Sequence, residues 1–431
     1  MNSFPPLRPL IKKHAPQITN ALLRMVPMAA KMGLAIYMGR FFNLAEMGVY
    51  GLTLGAVTML SVLTGQDFVY VVHRDIVGAD PATALHKMRD QAVLYGLNYL
   101  ALAVVIGALI VTHSVDIPSR ILWYTLGLTI CESFGTVCYY NLNSLNFQVR
   151  ANGLFFIRAG LWVFPVVALC MINPAWRTAD TVLIGWMAGS GMSLLVTLWL
   201  WRELPWKEVM PHPVDWMWIR KGIKVCSLIW LGMLGLTAGT FVDRFVVEHY
   251  LSLEDVGVLT FYFSFTNAML TLVDSGIAAF ATPLMIQHHR DGNANAFHTE
   301  ARRASKQIAI SAGLLALGLG IGVPLLGSVL GRPAFIASMN VFFMMLFGTW
   351  LRANAEMEGN VLFARHQDRA MWLGNLLFLI PALGGNLLLV PLFGLNGIGF
   401  SAVLAASFLL IWRWGHTSRY TRRTSGSPHV C

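Results

Sequence analysis

Charge is what this chain has least of. Asp, Glu, Lys and Arg make up 12% of its 431 residues, against roughly 25% in a soluble domain. Hydrophobic side chains reach 56% and mean hydropathy is +0.60. That balance excludes a soluble enzyme or binding module and indicates a polytopic membrane protein. Cysteine is sparser still. Cys131, Cys138, Cys170, Cys226 and Cys431 are odd in number and lie in apolar stretches or the tail, so no disulfide framework is implied. Long polar segments are missing too: the widest interruptions, Arg202–Gly222 and Gln287–Lys306, leave no room for a soluble domain of ordinary size. The apolar stretch behind the basic N-terminus carries Arg24 and Lys31 and runs on without a cleavage site, so it is not expected to be a signal peptide.

What is present is apolar run after apolar run. Crossing the hydrocarbon takes about 20 residues of helix, and twelve such spans can be placed. They lie near 17–40, 47–72, 91–112, 119–141, 152–172, 181–201, 223–247, 256–286, 307–330, 335–360, 370–392 and 394–414. The expected fold is all-α. It comprises two six-helix pseudo-repeat bundles at 1–201 and 223–414, joined by a cytoplasmic linker at 202–222 and followed by a polar, basic, disordered tail at 415–431. With the N-terminus inside, 21 of the 31 Lys and Arg residues, Arg89 and Arg413 among them, fall on the inner side, Arg40, Arg120, Arg177 and Arg332 fall outside, and the remaining six lie within spans. The positive-inside bias therefore places both termini in the cytoplasm. The formal charge of +10 is mostly this collar, which anionic lipid head groups attract. Because the basic residues are scattered over separate segments, no nucleic-acid partner is expected.

The chain also repeats itself. Met38–Thr53 reads MGRFFNLAEMGVYGLT and Val247–Tyr262 reads VEHYLSLEDVGVLTFY, with Leu44/Leu253, Gly48/Gly257 and Val49/Val258 identical. In both copies an apolar stretch enters an acidic turn and another leaves it. The outgoing stretches each end in His-Arg-Asp, at His73–Asp75 and His289–Asp291. Internal repeats of membrane hairpins are how secondary transporters build a central site. The His-Arg-Asp copies echo a kinase loop, but no other kinase element accompanies them, and they read as membrane-edge anchors. Gly318–Gly322 follows no strand and lies within a span, where close helix approach is expected rather than nucleotide binding. His288 and His289 point about 100° apart on a helix and make a poor metal-ligand pair.

Ionisable groups inside spans are costly and tend to face cavities. Arg24 and Lys31 are seven apart on the first span, hence on one helical face, and that span contains no acid. Arg158 stands among Phe155, Phe156 and Trp162 in the fifth. Arg244 adjoins Asp243, and Arg352 and Glu356 have the four-residue spacing of an internal ion pair. Asp67 and Asp274 occupy nearly equivalent positions of the two repeats, and Glu132 is a further acid within a span. Arg24, Lys31, Arg158, Arg244 and Arg352 are the candidate anion-site residues. Asp67, Asp274 and Glu132 are the candidate ion-coupling residues, for a proton or sodium gradient; no cofactor or metal is expected.

Several stretches resemble one transporter superfamily. Asp243-Arg244 through Val256-Gly257 is similar to the seventh-to-eighth span hairpin of the multidrug/oligosaccharidyl-lipid/polysaccharide exporter superfamily. NLLLVPLFGLNGIG at Asn386–Gly399 resembles its last hairpin, Gly39–Gly51 its first, and Ala281–Gly292 its exit from the eighth span. The likeness is nearest to the polysaccharide-transporter branch, the flippases of O-antigen and exopolysaccharide repeat units. It implies two six-helix bundles in a V, alternating access, and export of an undecaprenyl-pyrophosphate-linked oligosaccharide across the bacterial inner membrane. The implied partners are that lipid-linked oligosaccharide, membrane lipids and other polysaccharide-assembly proteins. Tyr139, Tyr140, Trp123 and Tyr124 are candidates to receive sugars. A cation-coupled drug exporter is the alternative from the same fold, against which the Arg24/Lys31 pair argues. A polymerase, ligase or glycosyltransferase would need a larger outer loop, and a pure scaffold would have no use for buried charge.

Overall fold

The computed structural model describes residues 7–77, 79–114, 117–202, 204 and 206–425. Every regular element among them is helical: α1 (Leu7–Phe41), α2 (Leu44–Leu63), α3 (Val69–Ile76), α4 (Pro81–Thr112), α5 (Ser119–Ser144), α6 (Gln148–Phe156), α7 (Val163–Ile172), α8 (Ala179–Trp201), α9 (Trp206–Val209), α10 (Trp216–Tyr250), α11 (Leu253–Val273), α12 (Ala279–Arg290), α13 (Ala294–Leu330), α14 (Pro333–Ala337), α15 (Met339–Ala364), α16 (Asp368–Phe393) and α17 (Leu395–Ser425). Joined across their local breaks, these form twelve long rods. Ten are long and apolar enough to cross a membrane. The other two, α1 and α15, contain Arg24 and Lys31, and Arg352, Glu356 and Glu358. The all-α, polytopic expectation is met. The tail is helical as far as Ser425; residues 426–431 of the expected disordered tail lie outside the described residues.

Three rods change pitch midway, which a uniform span does not anticipate. The second is broken between α2 and α3 by Gly65 (φ +85°) and a 3₁₀ turn at Gln66–Phe68. Asn98 Nδ2 donates to the Thr64 carbonyl exposed by that break, at 2.9 Å. The fifth widens into a π turn at Ile157–Leu161, between α6 and α7. The eighth does the same at Asp274–Ala278, between α11 and α12.

The helices divide into two compact units, one drawn from Met1–Leu34 and Ala56–Ser227, the other from Ala35–Gly55 and Leu228–Cys431. The first unit has a core of α3, α4 and α5 side chains, among them Val72, Ile76, Leu85, Tyr95 and Val137, joined by Val209 and Cys226. The linker is bolted onto this unit. Buried Arg89 of α4 donates to the carbonyls of Val209 (2.7 Å), His212 (2.6 Å) and Pro213 (3.0 Å), and pairs with Asp90. Asp90 Oδ2 accepts from the Asp215 N–H, and Lys87 lies 3.5 Å from Asp215. Arg89, counted with the cytoplasmic collar in the sequence, is therefore an internal clamp.

In the second unit the sequence repeat becomes a reciprocal contact. A methyl group added at Gly48 would overlap the Leu253 carbonyl oxygen, and one at Gly257 would overlap that of Leu44. Only glycine lets the two equivalent turns approach this closely. Two arginines complete the exchange. Arg40 donates to the Leu330 carbonyl at the end of α13, and Arg332 to the Phe42 carbonyl (2.7 Å) just beyond α1. Each places positive charge at the other helix's negative end. Gly318–Gly322 does not mediate a close helix approach, contrary to expectation. Gly318 and Gly322 are exposed with nothing within 4 Å, and half-buried Gly320 makes only ordinary contact with Phe343 and Leu346 of α15.

Candidate functional site

One face of α5 organises the polar interior of the first unit. Glu132, Thr136 and Tyr139 recur at helical spacing, and each meets a cation or its partner from another helix. Arg158 comes from the π turn. Its Nη1 donates to the Glu132 carbonyl (2.6 Å) and to Thr136 Oγ1 (2.7 Å), and its Nε lies 3.7 Å from Glu132 Oε2. A π turn shifts side chains out of the α-helical register and recurs at functional sites. Here it aims Arg158 at α5, where Gly135 leaves room: a Cβ at Gly135 would sit 2.9 Å from Arg158 Cδ.

Arg24 and Lys31 reach the same face from α1. Arg24 Nε donates to Asn152 Oδ1 (3.1 Å), and its Nη2 to the Tyr139 hydroxyl. Lys31 Nζ lies 5.9 Å from the Trp186 ring centroid, within electrostatic reach of Glu132 and Arg158. Pro27, between the two cations, packs against Gly160 of the π turn, where a Cβ would meet its Cα at 2.5 Å; this draws α1 in close. Glu132 Oε1 accepts from Trp186 Nε1 (2.8 Å) and Ser190 Oγ (2.5 Å) on α8. The cluster thus holds three cations and one carboxylate. Trp186, Ser190, Thr136 and Asn152 complete it, and no spacing in the sequence marked them.

Asp67 lies in the 3₁₀ break, 6% exposed, and its Oδ2 has no hydrogen-bond partner among the described residues. Tyr70, Tyr95, Tyr140 and Cys226 are its electrostatic neighbours. Asp274, its counterpart in the sequence repeat, also sits where its span changes pitch, in the π turn. It is exposed, with Glu356 as its electrostatic neighbour. Broken helices are where transporter backbones line cavities.

The other two candidate cations belong to the second unit, each beside its own acid. Arg244 is fully buried, 2.9 Å from Asp243 Oδ1 and against the rings of Phe241 and Phe263, 4.8 and 4.2 Å from their centroids. Arg352 Nε lies 3.5 Å from Glu356, the pairing its spacing suggests, and its Nη1 donates to Thr240 Oγ1 (2.9 Å). Arg413, read from the sequence as part of the collar, is buried and adds a second cation to Glu356 at 3.1 Å. A cavity of about 90 Å³ opens beside these groups, with Thr240, Asp243, Asn267, Arg352 and Asn386 in its wall.

No family profile matches the sequence, and no curated protein matches it. Solved structures do. An inward-facing multidrug resistance MATE family transporter of the MOP superfamily superposes with a TM-score of 0.72 at 14% identity, over 95% of this chain and 100% of that one. The lipid II flippase MurJ, in an inward closed conformation, gives 0.73 at 11% identity, over 93% of this chain and 87% of that one. A Vibrio cholerae MATE transporter gives 0.57 at 11% identity, over 97% of each chain. At such identities the likeness is one of fold, and it extends over nearly the whole chain.

Proposed function

We propose that this protein is a flippase of the bacterial inner membrane. It would carry an undecaprenyl-pyrophosphate-linked oligosaccharide repeat unit across the bilayer by alternating access, for surface polysaccharide assembly. The observation that carries this reading is the excess of cations on the α5 face: Arg24, Lys31 and Arg158 against Glu132, the one carboxylate bonded into the cluster among the described residues. A cation unbalanced at the centre of a bilayer costs about 2.5–3.5 kcal/mol on insertion scales. An anionic substrate offsets that cost, and the arginine fork suits phosphate.

A shelf of rings beside Arg24 supports the glycan half of the substrate. Tyr139 and Tyr140 are 5.6 Å apart, Tyr140 and Tyr70 6.2 Å, and Tyr139 and Phe155 6.0 Å. Such faces suit sugar rings, with hydroxyls at the edge to hydrogen-bond them. The two neighbour types differ in what they are named for, multidrug resistance and lipid II. A cationic drug would be repelled by the α5 cluster, which favours the lipid-linked anion. Asp67 and Asp274 are the proposed ion-coupling carboxylates. The protein makes and breaks no bonds in this reading, and its partners are the lipid-linked glycan, the surrounding lipids and the proteins that extend the glycan.

Deletion of the gene tests it. Surface polysaccharide should be lost while lipid-linked repeat units accumulate on the inner leaflet, and a plasmid copy should restore export. Normal surface polysaccharide in the deletion strain, with altered drug tolerance instead, would make the protein a drug exporter.

A further inference from the structure

Glu132 is set into the cationic cluster too firmly to be an incidental counter-ion. One oxygen takes two neutral donors from α8, Trp186 and Ser190, and the other faces Arg158. Lys31 of α1 is within electrostatic reach. On its own helix Cys131 adjoins it, and from α4 the Tyr99 hydroxyl donates to the neighbouring Ser133 (3.0 Å). Three cations and one fixed carboxylate leave a formal surplus of two positive charges.

We infer that Glu132 is a selectivity residue that matches the site to a dianion, a prenyl pyrophosphate whose far phosphate is esterified to sugar, and against the sugar-free carrier. This rests on the anion-site reading above. In the sugar-linked diester each phosphate keeps one ionised oxygen, and the charge equals the surplus. The sugar-free carrier has a terminal phosphate whose second ionisation lies near pH 6, so above that pH it brings a further negative charge. The cost of moving an ion out of water rises steeply with its charge, and Glu132 repels each added negative charge at short range. A carrier that has already delivered its glycan would thereby be refused.

The arithmetic of charge supplies the test. Removing one fixed negative charge should favour each ligand in proportion to that ligand's charge. Wild-type protein and Glu132→Gln would be compared in lipid nanodiscs at pH 8 by calorimetry, with three geranyl probes. These are a phosphodiester-linked sugar, a pyrophosphodiester-linked sugar and plain geranyl pyrophosphate. Wild type should bind the pyrophosphodiester tightest. The variant's gain in affinity should grow by roughly three- to tenfold with each charge on the probe, shifting preference toward geranyl pyrophosphate, and Glu132→Asp should keep the wild-type order.

An equal change for all three probes, or a loss for all three, would overturn the selectivity role and leave the anion site standing. Failure of wild type to bind any probe would overturn the anion-site reading and the selectivity role with it. Should the Gln variant not fold, wild type alone decides. Its affinity for geranyl pyrophosphate should rise between pH 8 and pH 5.5 while that for the pyrophosphodiester stays level, and matching pH profiles would refute the inference.

Discussion

Arg24, Lys31 and Arg158 differ in what holds them, and so in what their loss should do. Arg158 is buried and bonded to α5 at three points; truncating it strands Glu132 and threatens the fold. Arg24 is exposed and Lys31 half-buried, and neither is within ion-pair distance of a carboxylate among the described residues. Arg24→Ala and Lys31→Ala should therefore reach the membrane at normal abundance yet export roughly 10- to 100-fold less. That is the loss expected from removing a charged hydrogen bond worth about 1.5–3 kcal/mol. Replacement by Glu should be worse than by Ala, and Lys31→Arg should retain part of the activity. Disappearance of the Ala variants from immunoblots of membranes would instead make the pair structural.

Asp67 presents the opposite problem, a buried carboxylate oxygen without a hydrogen-bond partner among the described residues. An acid kept there at a cost has a use, and ion coupling is the one its place in a helix break suggests. Asp67→Asn and Asp274→Asn should abolish gradient-driven export in vesicles while leaving expression unchanged. Normal transport by both, and by the double variant, would assign the acids to structure and leave the coupling elsewhere.

At the level of elements, the crossing of equivalent turns at Gly48 and Gly257 depends on a missing methyl group. Overpacking a tight contact costs about 1–3 kcal/mol, so Gly48→Ala and Gly257→Ala should each lower the melting temperature of the purified protein. Gly33→Ala, where nothing lies within 4 Å, is the control and should change little. Wild-type melting of both crossing variants would show that the turns can separate freely. The clamp on the linker gives a second expectation. Arg89→Ala leaves three linker carbonyls without their donor, and the 206–215 stretch should become the first site of limited proteolysis. Asp215, just before α10, joins that clamp, and the Trp218 backbone N–H holds its carboxyl below the ordinary range. Its contribution is complete above about pH 3.9, the usual Asp value, and is lost only as pH falls through the lower folded value.

On the scale of the whole molecule, the positive-inside bias makes one expectation that a soluble-state experiment cannot reach. The Ser252–Asp255 turn has no Lys or Arg, whereas Gln287–Lys306 has four. In a background with its own cysteines replaced, Ser252→Cys should react with an impermeant maleimide in intact cells, and Asn293→Cys only after lysis. Labelling of Asn293→Cys in intact cells would invert the topology.

Composition and periodicity alone determined that this is an all-helical, many-span membrane protein, because hydrocarbon admits few alternatives to a run of apolar helix. The same reading found the 209-residue offset between repeats and picked Arg24, Lys31, Arg158 and Glu132, since charge in a span stands out wherever it occurs. It could not say that Glu132 answers Arg158, that Ser190 and Trp186 hold it, or that Arg89 and Arg413 are internal rather than part of a basic collar. Nor could it place the 3₁₀ and π turns that aim Asp67, Arg158 and Asp274. Those facts depend on which helices lie side by side and how each is rotated. Hydrophobicity varies little around a rod that is apolar on most faces, so rotation leaves a faint trace in the sequence. Packing, through a glycine that admits a guanidinium or a carbonyl that needs a donor, decided the rest.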